Sequence, residues 1–199
     1  MTTTIKREIT RADILPMQDY ARDRAKVRQD IVALKRRRRV EVGPFATFYF
    51  ENYQTMWHQV HEMLFIEKGG EAQIEDELRA YNPLIPQGHE LVATVMLEIE
   101  DPVRRAKTLL RLGGIENAMF FTVGDETIRG EPEGDVERTK ADGKTSSVHF
   151  MHFRFTPAQI ALFRKPGARV ILGFDHPEYS HMAVLPEPVR QALAEDFVA

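Results

Sequence analysis

The chain has 199 residues, a length that fits one domain better than two. Hydrophobic residues make up 43% and charged residues 29%, which is typical of a globular protein and excludes a disordered chain. The sequence contains no cysteine, which excludes disulfides, thiol catalysis and a cysteine-ligated iron–sulfur cluster. The net charge of −3 gives no overall attraction to nucleic acid.

The N-terminus and the later apolar runs predict a cytoplasmic protein. Residues 1–8 lack the apolar stretch of a secretory signal. No later run approaches the roughly 18 apolar residues that cross a membrane. We therefore expect one cytoplasmic domain over residues 1–199, with no membrane partner.

The first segment, about residues 10–39, is predicted to be helical. Its apolar residues recur at helical spacing among charges, and Thr10 or Asp13 can cap the start. Pro16 fits a first helical turn, since proline lacks only an N–H that has no partner there. We predict a short helix that leads into a longer one, which ends near Arg37.

The body, about residues 40–199, mixes strands and helices. Residues 40–51 predict one strand entered through a Gly43-Pro44 bend, with Phe48 and Phe50 on one face. Asn52, Asp101 and Thr156 are expected to begin helices. Further strands are predicted over residues 91–99, 118–123, 127–130, 147–155, 168–174 and 182–184. Shorter helices are predicted over residues 71–80 and after Pro186 or Pro188.

These elements predict an α+β fold. Strict alternation of strand and helix is absent, which favours a mainly antiparallel sheet of about 5–7 strands, with helices packed on one side and a helical N-terminal segment. The polar, glycine-containing residues 131–145 predict a mobile loop.

A helical segment carries the first group of candidate metal ligands, His58, His61 and Glu62. His58 lies three residues before His61 and four before Glu62, so each pair shares a helical face and could hold one divalent ion. The order of a zinc-protease motif is absent. The alternative is that both imidazoles form local hydrogen bonds and Glu62 is solvated.

Two later segments contain further histidines. In the strand over residues 147–155, alternation places His149 on the more apolar face and His152 on the other. We therefore expect His149 to be a buried or half-buried imidazole, which is either hydrogen-bonded in the core or acts as a ligand or proton-transfer group. His176 and His181 follow the strand that ends near Phe174. With two carboxylates nearby they could form a metal site, or the segment could be a tight turn.

The basic run Lys35-Arg36-Arg37-Arg38-Arg39 closes the predicted N-terminal helix. Five cations could bind nucleic acid, but at a helix C-terminus they also stabilise the helix dipole while they remain solvated. No aromatic platform or nucleic-acid motif accompanies the run, so we favour the solvated face over a nucleic-acid partner.

Several segments together resemble one bacterial family. They are Val42-Gly43-Pro44, Phe50-Glu51-Asn52, Glu62-Met63-Leu64, Tyr81-Asn82-Pro83-Leu84-Ile85-Pro86, the residues 144–150 and the residues 175–179. In this order they are similar to the family catalogued as domain of unknown function 3501, over nearly the whole chain. The resemblance implies genes beside a rubrerythrin-like protein and a cysteine-rich iron–sulfur oxidoreductase, and it assigns no catalytic residue.

Two hypotheses of function follow. By resemblance, the chain is a non-catalytic accessory or interaction protein of a redox or peroxide-stress system, with rubrerythrin-like and iron–sulfur proteins as partners. The alternative is a metal-binding protein or metal-dependent enzyme that holds a divalent ion as its cofactor. Its candidate ligands are His58, His61, Glu62, His149, His176 and His181.

Overall fold

An antiparallel sheet of eight strands forms the centre of the computed structural model, which describes residues 5–134, 139 and 143–198. The strands are β1 (Arg39–Val42), β2 (Ala46–Phe50), β3 (Glu90–Leu97), β4 (Met119–Val123), β5 (Glu126–Pro132), β6 (Val148–Arg154), β7 (Val170–Phe174) and β8 (Met182–Val184). Their order across the sheet is β1-β2-β3-β6-β5-β4-β7-β8, with every neighbouring pair antiparallel.

Six α-helices lie among the described residues: α1 (Met17–Arg36), α2 (Tyr53–Glu67), α3 (Glu71–Tyr81), α4 (Pro102–Arg111), α5 (Pro157–Arg164) and α6 (Glu187–Ala194). The side chains of Asn52, Asp101 and Thr156 accept hydrogen bonds from the first turns of α2, α4 and α5. The three predicted helix starts are therefore confirmed. Across the described part of the chain, no helix combines the length and the apolar character needed to cross a membrane.

The sheet curls into a nearly closed barrel whose interior is filled by side chains. Alternate residues point inward, and the interior contains Phe48, Phe50, Phe121, Phe153 and Phe174, all fully buried. The edge strands β1 and β8 come close to each other. The gap between them is bridged by the Tyr179 hydroxyl, which donates to the Val42 carbonyl at 2.7 Å.

Helices cover both the outside and the ends of this barrel. Leu109 and Leu112 of the α4 region and Phe163 of α5 pack into the interior cluster, as do Leu193 and Phe197 from α6 and the residues after it. A second cluster lies on the outer face of β3, where Val92 packs against Val60 and Leu64 of α2 and Ile74 of α3. The outer face of the sheet is therefore buried around Val92 and Thr94, whereas Met96 near the end of β3 is 36% exposed.

The α+β class and the antiparallel sheet are confirmed, and two details of the prediction are wrong. The sheet has eight strands because residues 40–51 form the hairpin β1–β2 rather than one strand. Gly43 reverses the chain there with φ of +71°, and a Cβ at this position would lie 2.6 Å from the Tyr179 hydroxyl. The helices do not lie on one side, because a curled sheet fills its own interior and leaves its outer face and its ends to be covered.

The predicted loop over residues 131–145 begins later than the sequence suggests. Glu131 and Pro132 belong to β5 and pair with His152 and Met151 of β6. Residues 135–138 and 140–142 of the predicted loop lie outside the described residues.

Candidate functional site

His61 is fully buried between α1 and α2 and has both ring nitrogens in use. Its Nε2 accepts from the Leu15 backbone N–H at 3.0 Å, and its Nδ1 lies 2.7 Å from the Trp57 carbonyl, which can only accept. Burial lowers the pKa of His61, which agrees with a neutral ring. A metal ion would have to displace one of these two hydrogen bonds.

Glu62 links α2 to α1 and is not solvated, contrary to the alternative considered from the sequence. Its carboxylate accepts two hydrogen bonds from the Arg24 guanidinium, at 2.8 and 2.7 Å, and one from the Tyr20 hydroxyl at 2.7 Å. The hydrogen bonds from Arg24 lower the pKa of Glu62 to about 2. This carboxylate therefore joins two helices as a fixed anion.

His58 lies beside Glu62 but is not hydrogen-bonded to it, since Nε2 is 4.0 Å from Oε1. Both ring nitrogens of His58 are closed to solvent and have no hydrogen-bond partner among the described residues. Burial lowers the pKa of His58 and outweighs the raising effect of Glu62, and the charges of Lys35 and Arg28 lower it further. The ring is therefore held neutral in the contact between α1 and α2.

His149 faces the barrel interior, as the strand alternation predicts, and is completely buried. Its Nε2 lies 2.9 Å from the Ser146 carbonyl and 3.3 Å from the Thr145 hydroxyl. Because a carbonyl only accepts, Nε2 carries a proton. His149 is therefore a hydrogen-bonded histidine of the core.

The segment from Asp175 to Tyr179 forms the tight turn that was one of its two interpretations. His176 occupies both ring nitrogens, with Nδ1 accepting from the Glu178 N–H at 3.2 Å and Nε2 near the Gly113 carbonyl at 3.2 Å. His181 is exposed and packs its ring against Tyr179. This segment positions Tyr179, which closes the barrel edge.

The structure keeps the three histidine groups apart, between α1 and α2, inside the barrel and at its edge. Among residues 5–134, 139 and 143–198 no group of three or more His, Asp or Glu side chains is placed to hold a metal ion. The metal hypothesis stays a prediction. Elemental analysis of protein purified without a histidine tag tests it.

The basic run is not one solvated face. Arg38 is buried and donates to the carbonyls of Phe50, Glu51 and Ala192, while its guanidinium pairs with Asp196. Burial raises the pKa of Asp196, against the lowering effect of Arg38. Arg38 therefore anchors the end of β2 to the C-terminal segment, because a buried cation needs a partner and several acceptors.

His152, on the outer face of β6, lies between two carboxylates. Its Nδ1 is 3.1 Å from Glu90 and its Nε2 is 2.6 Å from Glu133. Burial lowers the pKa of His152, but the hydrogen bonds to Glu90 and Glu133 outweigh it, and the net pKa is raised. The three side chains form an ionic group that connects β3, β6 and the residue after β5.

Glu51 is the residue of greatest chemical interest on this outer face. It is only 4% exposed. Its Oε1 accepts from the Thr94 hydroxyl at 2.7 Å, while Oε2 is closed to solvent and has no hydrogen-bond partner in the described structure. A buried acceptor left in this state costs about 1–3 kcal/mol. A group that donates a hydrogen bond to Oε2 would recover that free energy.

The backbone around Glu51 is fixed on every side. Its N–H donates to the Val92 carbonyl at 2.8 Å, and its carbonyl accepts from Arg38 at 3.1 Å. The next residue, Asn52, caps α2 by accepting from the Thr55 N–H at 3.0 Å. Glu51 therefore sits on rigid elements, which is what a defined binding site requires.

A cavity of about 260 Å³ includes Glu51 in its wall. The outer face of β2, β3 and β6 forms its floor, and Lys35 of α1, Gln59 of α2 and Tyr81 of α3 contribute from above. The Gln59 amide donates to the Tyr81 hydroxyl at 3.4 Å. The apolar part of the wall consists of Met56, Leu84, Met96, Val148 and Phe150. The volume equals that of about nine water molecules, enough for a small metabolite.

Sequence reasoning missed Glu51 and emphasised the histidines. One signal was available: Glu51 lies on the face opposite Phe48 and Phe50, at the end of an aromatic strand and directly before a helix cap. An acidic side chain at this position contacts the element that packs on the outer face of the sheet. Its importance becomes visible only when α2 and α3 are known to provide that cover.

Comparisons with known proteins agree with this fold. The model of the family described as "Protein of unknown function (DUF3501)" matches residues 8–197. The chain is similar to a crystal structure of a novel protein of unknown function from Burkholderia pseudomallei K96243, with 38% identity and a TM-score of 0.88. The match covers 96% of this chain and 99% of that chain. No curated protein matches this sequence.

Proposed function

We propose that this chain, which belongs to the DUF3501 family of proteins of unknown function, binds a small organic molecule that donates a hydrogen bond to Glu51. The observation that carries the proposal is the buried Oε2 atom of Glu51, which lacks a partner although its side chain lines a cavity of about 260 Å³. Because a partly satisfied buried carboxylate is costly, its presence on a helix-covered face favours a binding role.

The chemistry of the carboxylate suggests which donor it takes. An ionised carboxylate only accepts hydrogen bonds, and a charged donor such as an ammonium group gives about twice the strength of a neutral one. The apolar wall from Met56, Leu84 and Phe150 suits a hydrocarbon body behind that donor. We therefore favour a small primary amine over an alcohol.

The surroundings of Glu51 favour binding over catalysis. The described histidines do not line the cavity, and Gln59 and Tyr81, two of its polar groups, are hydrogen-bonded to each other. General acid–base catalysis at neutral pH most often uses a histidine, and none lines this cavity in the described structure; the other ionisable side chains of the wall are Lys35 and the two tyrosines, Tyr49 and Tyr81. A non-catalytic binding protein agrees with the accessory role that the family resemblance implies.

Binding of n-pentylamine and benzylamine tests the proposal. We expect both amines to shift the NMR signals of residues around Glu51 and to bind more tightly than 1-pentanol and benzyl alcohol. Glu51→Gln should weaken amine binding by about tenfold or more, because a charge-assisted hydrogen bond is lost. Glu100→Gln removes the same charge from an exposed position and should leave binding unchanged.

Two results would contradict the proposal. One is the absence of any binding of the two amines at millimolar concentration. The other is binding that Glu51→Gln and Glu100→Gln weaken equally, since the effect would then come from overall charge and not from the buried carboxylate.

The redox partners stay a prediction from resemblance, and they are compatible with this proposal. An accessory protein would act on rubrerythrin-like and iron–sulfur proteins through its surface or through its bound ligand. Co-purification from cells that express all three proteins tests this. If neither protein is recovered with the chain, the partner prediction fails and the ligand proposal is unaffected.

A further inference from the structure

Lys35 is a second charged side chain in the wall of the Glu51 cavity. It lies in the last turn of α1, is half-buried, and makes no ion pair with any residue that the structure describes. Its neighbours Arg36 and Arg37 are exposed to solvent, and Arg38 is paired with Asp196. Within the basic run, Lys35 is therefore the cation at this cavity.

Lys35 and Glu51 carry opposite charges in one cavity without pairing with each other. Their charged atoms do not approach within the 4.0 Å of an ion pair. Apolar side chains, including Met56, Leu84 and Phe150, share the wall with them. Two buried or half-buried charges in the wall of one cavity that do not pair with each other each favour a ligand group of the opposite sign.

From this juxtaposition we infer that the ligand is a zwitterion, with an ammonium group at Glu51, a carboxylate at Lys35 and a short apolar body between them. The inference rests on the proposed function and specifies its ligand class. A primary ammonium supplies hydrogen-bond donors for Oε2 of Glu51, and a carboxylate accepts from the Lys35 ammonium. A ligand with only a negative charge would be repelled by Glu51. A ligand with only a positive charge would leave Lys35 without a partner of opposite charge.

Three probes of matched length test the inference: δ-aminovalerate, n-pentylamine and valerate. For the wild-type chain we expect δ-aminovalerate to bind about fivefold more tightly than n-pentylamine, because the added ion pair is partly solvated. Valerate should not bind measurably. Calorimetric or NMR titration at fixed, low ionic strength gives the three affinities.

The variant Lys35→Met separates the contribution of the carboxylate. It should lower the affinity for δ-aminovalerate to that for n-pentylamine and leave the affinity for n-pentylamine unchanged or slightly higher. The matched control is Arg36→Met, which removes a neighbouring exposed charge and should preserve the fivefold preference.

The outcomes distinguish the inference from the function on which it rests. Equal binding of δ-aminovalerate and n-pentylamine to the wild type would overturn the zwitterion inference, as would a preference that survives in Lys35→Met. Either result leaves the Glu51 proposal standing if n-pentylamine still binds and Glu51→Gln weakens it. Failure of both amines to bind would overturn the proposed function itself.

Discussion

The interior of the barrel and the helix-covered part of the outer face of β2, β3 and β6 both contain buried side chains, but they are built from different residues. The interior is packed with phenylalanines such as Phe48, Phe121 and Phe153, whose rings contact one another. The outer face, beneath α2 and α3, contains the buried polar residues Glu51 and Thr94 beside apolar ones. Apart from the hydrogen-bonded His149, the first region depends on apolar packing, whereas the second contains charges that packing does not require.

This difference distinguishes the residues that stabilise the fold from the residues that could bind a ligand. Apolar burial contributes about 25 cal/mol per Å² and needs no particular partner. Buried polar groups cost free energy unless each finds a hydrogen-bond partner, so their positions are more restricted. Substitutions inside the barrel should therefore change stability most, and those on the outer face should change binding with a smaller effect on stability.

The largest expected effect is that of Phe121→Ala. Phe121 is fully buried and contacts the rings of Phe50, Phe153 and Phe155. Its truncation leaves a cavity and should lower the free energy of unfolding by about 3–5 kcal/mol. Urea unfolding measures this. Val103→Ala, at a residue that is 64% exposed, should change it by less than about 0.5 kcal/mol.

A loss below about 1 kcal/mol for Phe121→Ala would contradict the idea that the barrel interior dominates stability. If the variant does not fold, Phe121→Leu provides the test, with an expected loss of about 1 kcal/mol and n-pentylamine binding preserved.

Glu62→Gln should have the next largest effect, because it weakens the link between α1 and α2. Loss of the charge-assisted hydrogen bonds from Arg24 should cost about 2 kcal/mol at neutral pH. The pKa of Glu62 is lowered from 4.5 to about 2 in the folded chain by Arg24. The advantage of the wild type is therefore present above pH 4.5 and is lost as the pH falls towards about 2.

Urea unfolding over a series of acidic pH values checks this prediction. Glu75→Gln on α3 is the matched control, since Glu75 is exposed and forms no ion pair with a described residue. A difference between wild type and Glu62→Gln that does not change with pH in this range would disagree with a carboxylate held by Arg24.

Substitution of His152 should have a smaller effect on stability, and this effect should change at neutral to alkaline pH. Burial lowers the pKa of His152, but Glu90 and Glu133 raise it more, so the pKa in the folded chain lies above the ordinary value of 6.5. The stability that this ion group contributes is fully present below pH 6.5 and is lost as the pH rises through the folded pKa. His152→Gln should therefore differ from the wild type less at about pH 9 than at about pH 6.

The control for His152 is His89→Gln, because His89 is exposed and its side chain has no described hydrogen bond. The free energies of unfolding of both variants, measured between about pH 6 and pH 9, test this prediction. A His152→Gln difference that grows as the pH rises would mean that the ring is neutral when folded, contrary to its position between two carboxylates.

Much of the local structure could be predicted from the sequence because it depends on neighbouring residues. Alternation of apolar residues along the predicted strand 91–99 puts Leu91, Ala93, Val95 and Leu97 on one face, and all four are buried in β3. Closure of the barrel could not be predicted in this way. It depends on the hydrogen bond from Tyr179 to the Val42 carbonyl, across 137 positions of the chain, and no periodicity reports such a contact.

The site was harder to predict than the fold, for a related reason. Histidines attract attention in a chain without cysteine, yet His61, His149 and His176 each lie at hydrogen-bond distance from a backbone carbonyl. Those partners depend on local geometry that the residue pattern does not contain. The importance of Glu51 depends on α2 and α3, which turn an outward-facing strand end into a buried position.

The smallest expected effect on stability is that of Glu51→Gln, and it is the sharpest test of the comparison. The amide keeps an oxygen that can accept from Thr94, and it removes a buried charge whose second oxygen has no partner in the described structure. The free energy of unfolding should therefore change by less than about 1 kcal/mol, or rise slightly. Phe121→Ala should instead cause a large loss of stability.

Urea unfolding and n-pentylamine titration of the same Glu51→Gln sample decide between a structural and a binding role. A loss of about 2 kcal/mol or more on substitution would show that the ionised carboxylate stabilises the fold, as the Arg24–Glu62 link does. An unchanged free energy of unfolding together with a loss of amine affinity of about tenfold would show that the buried Glu51 carboxylate serves ligand binding and not stability.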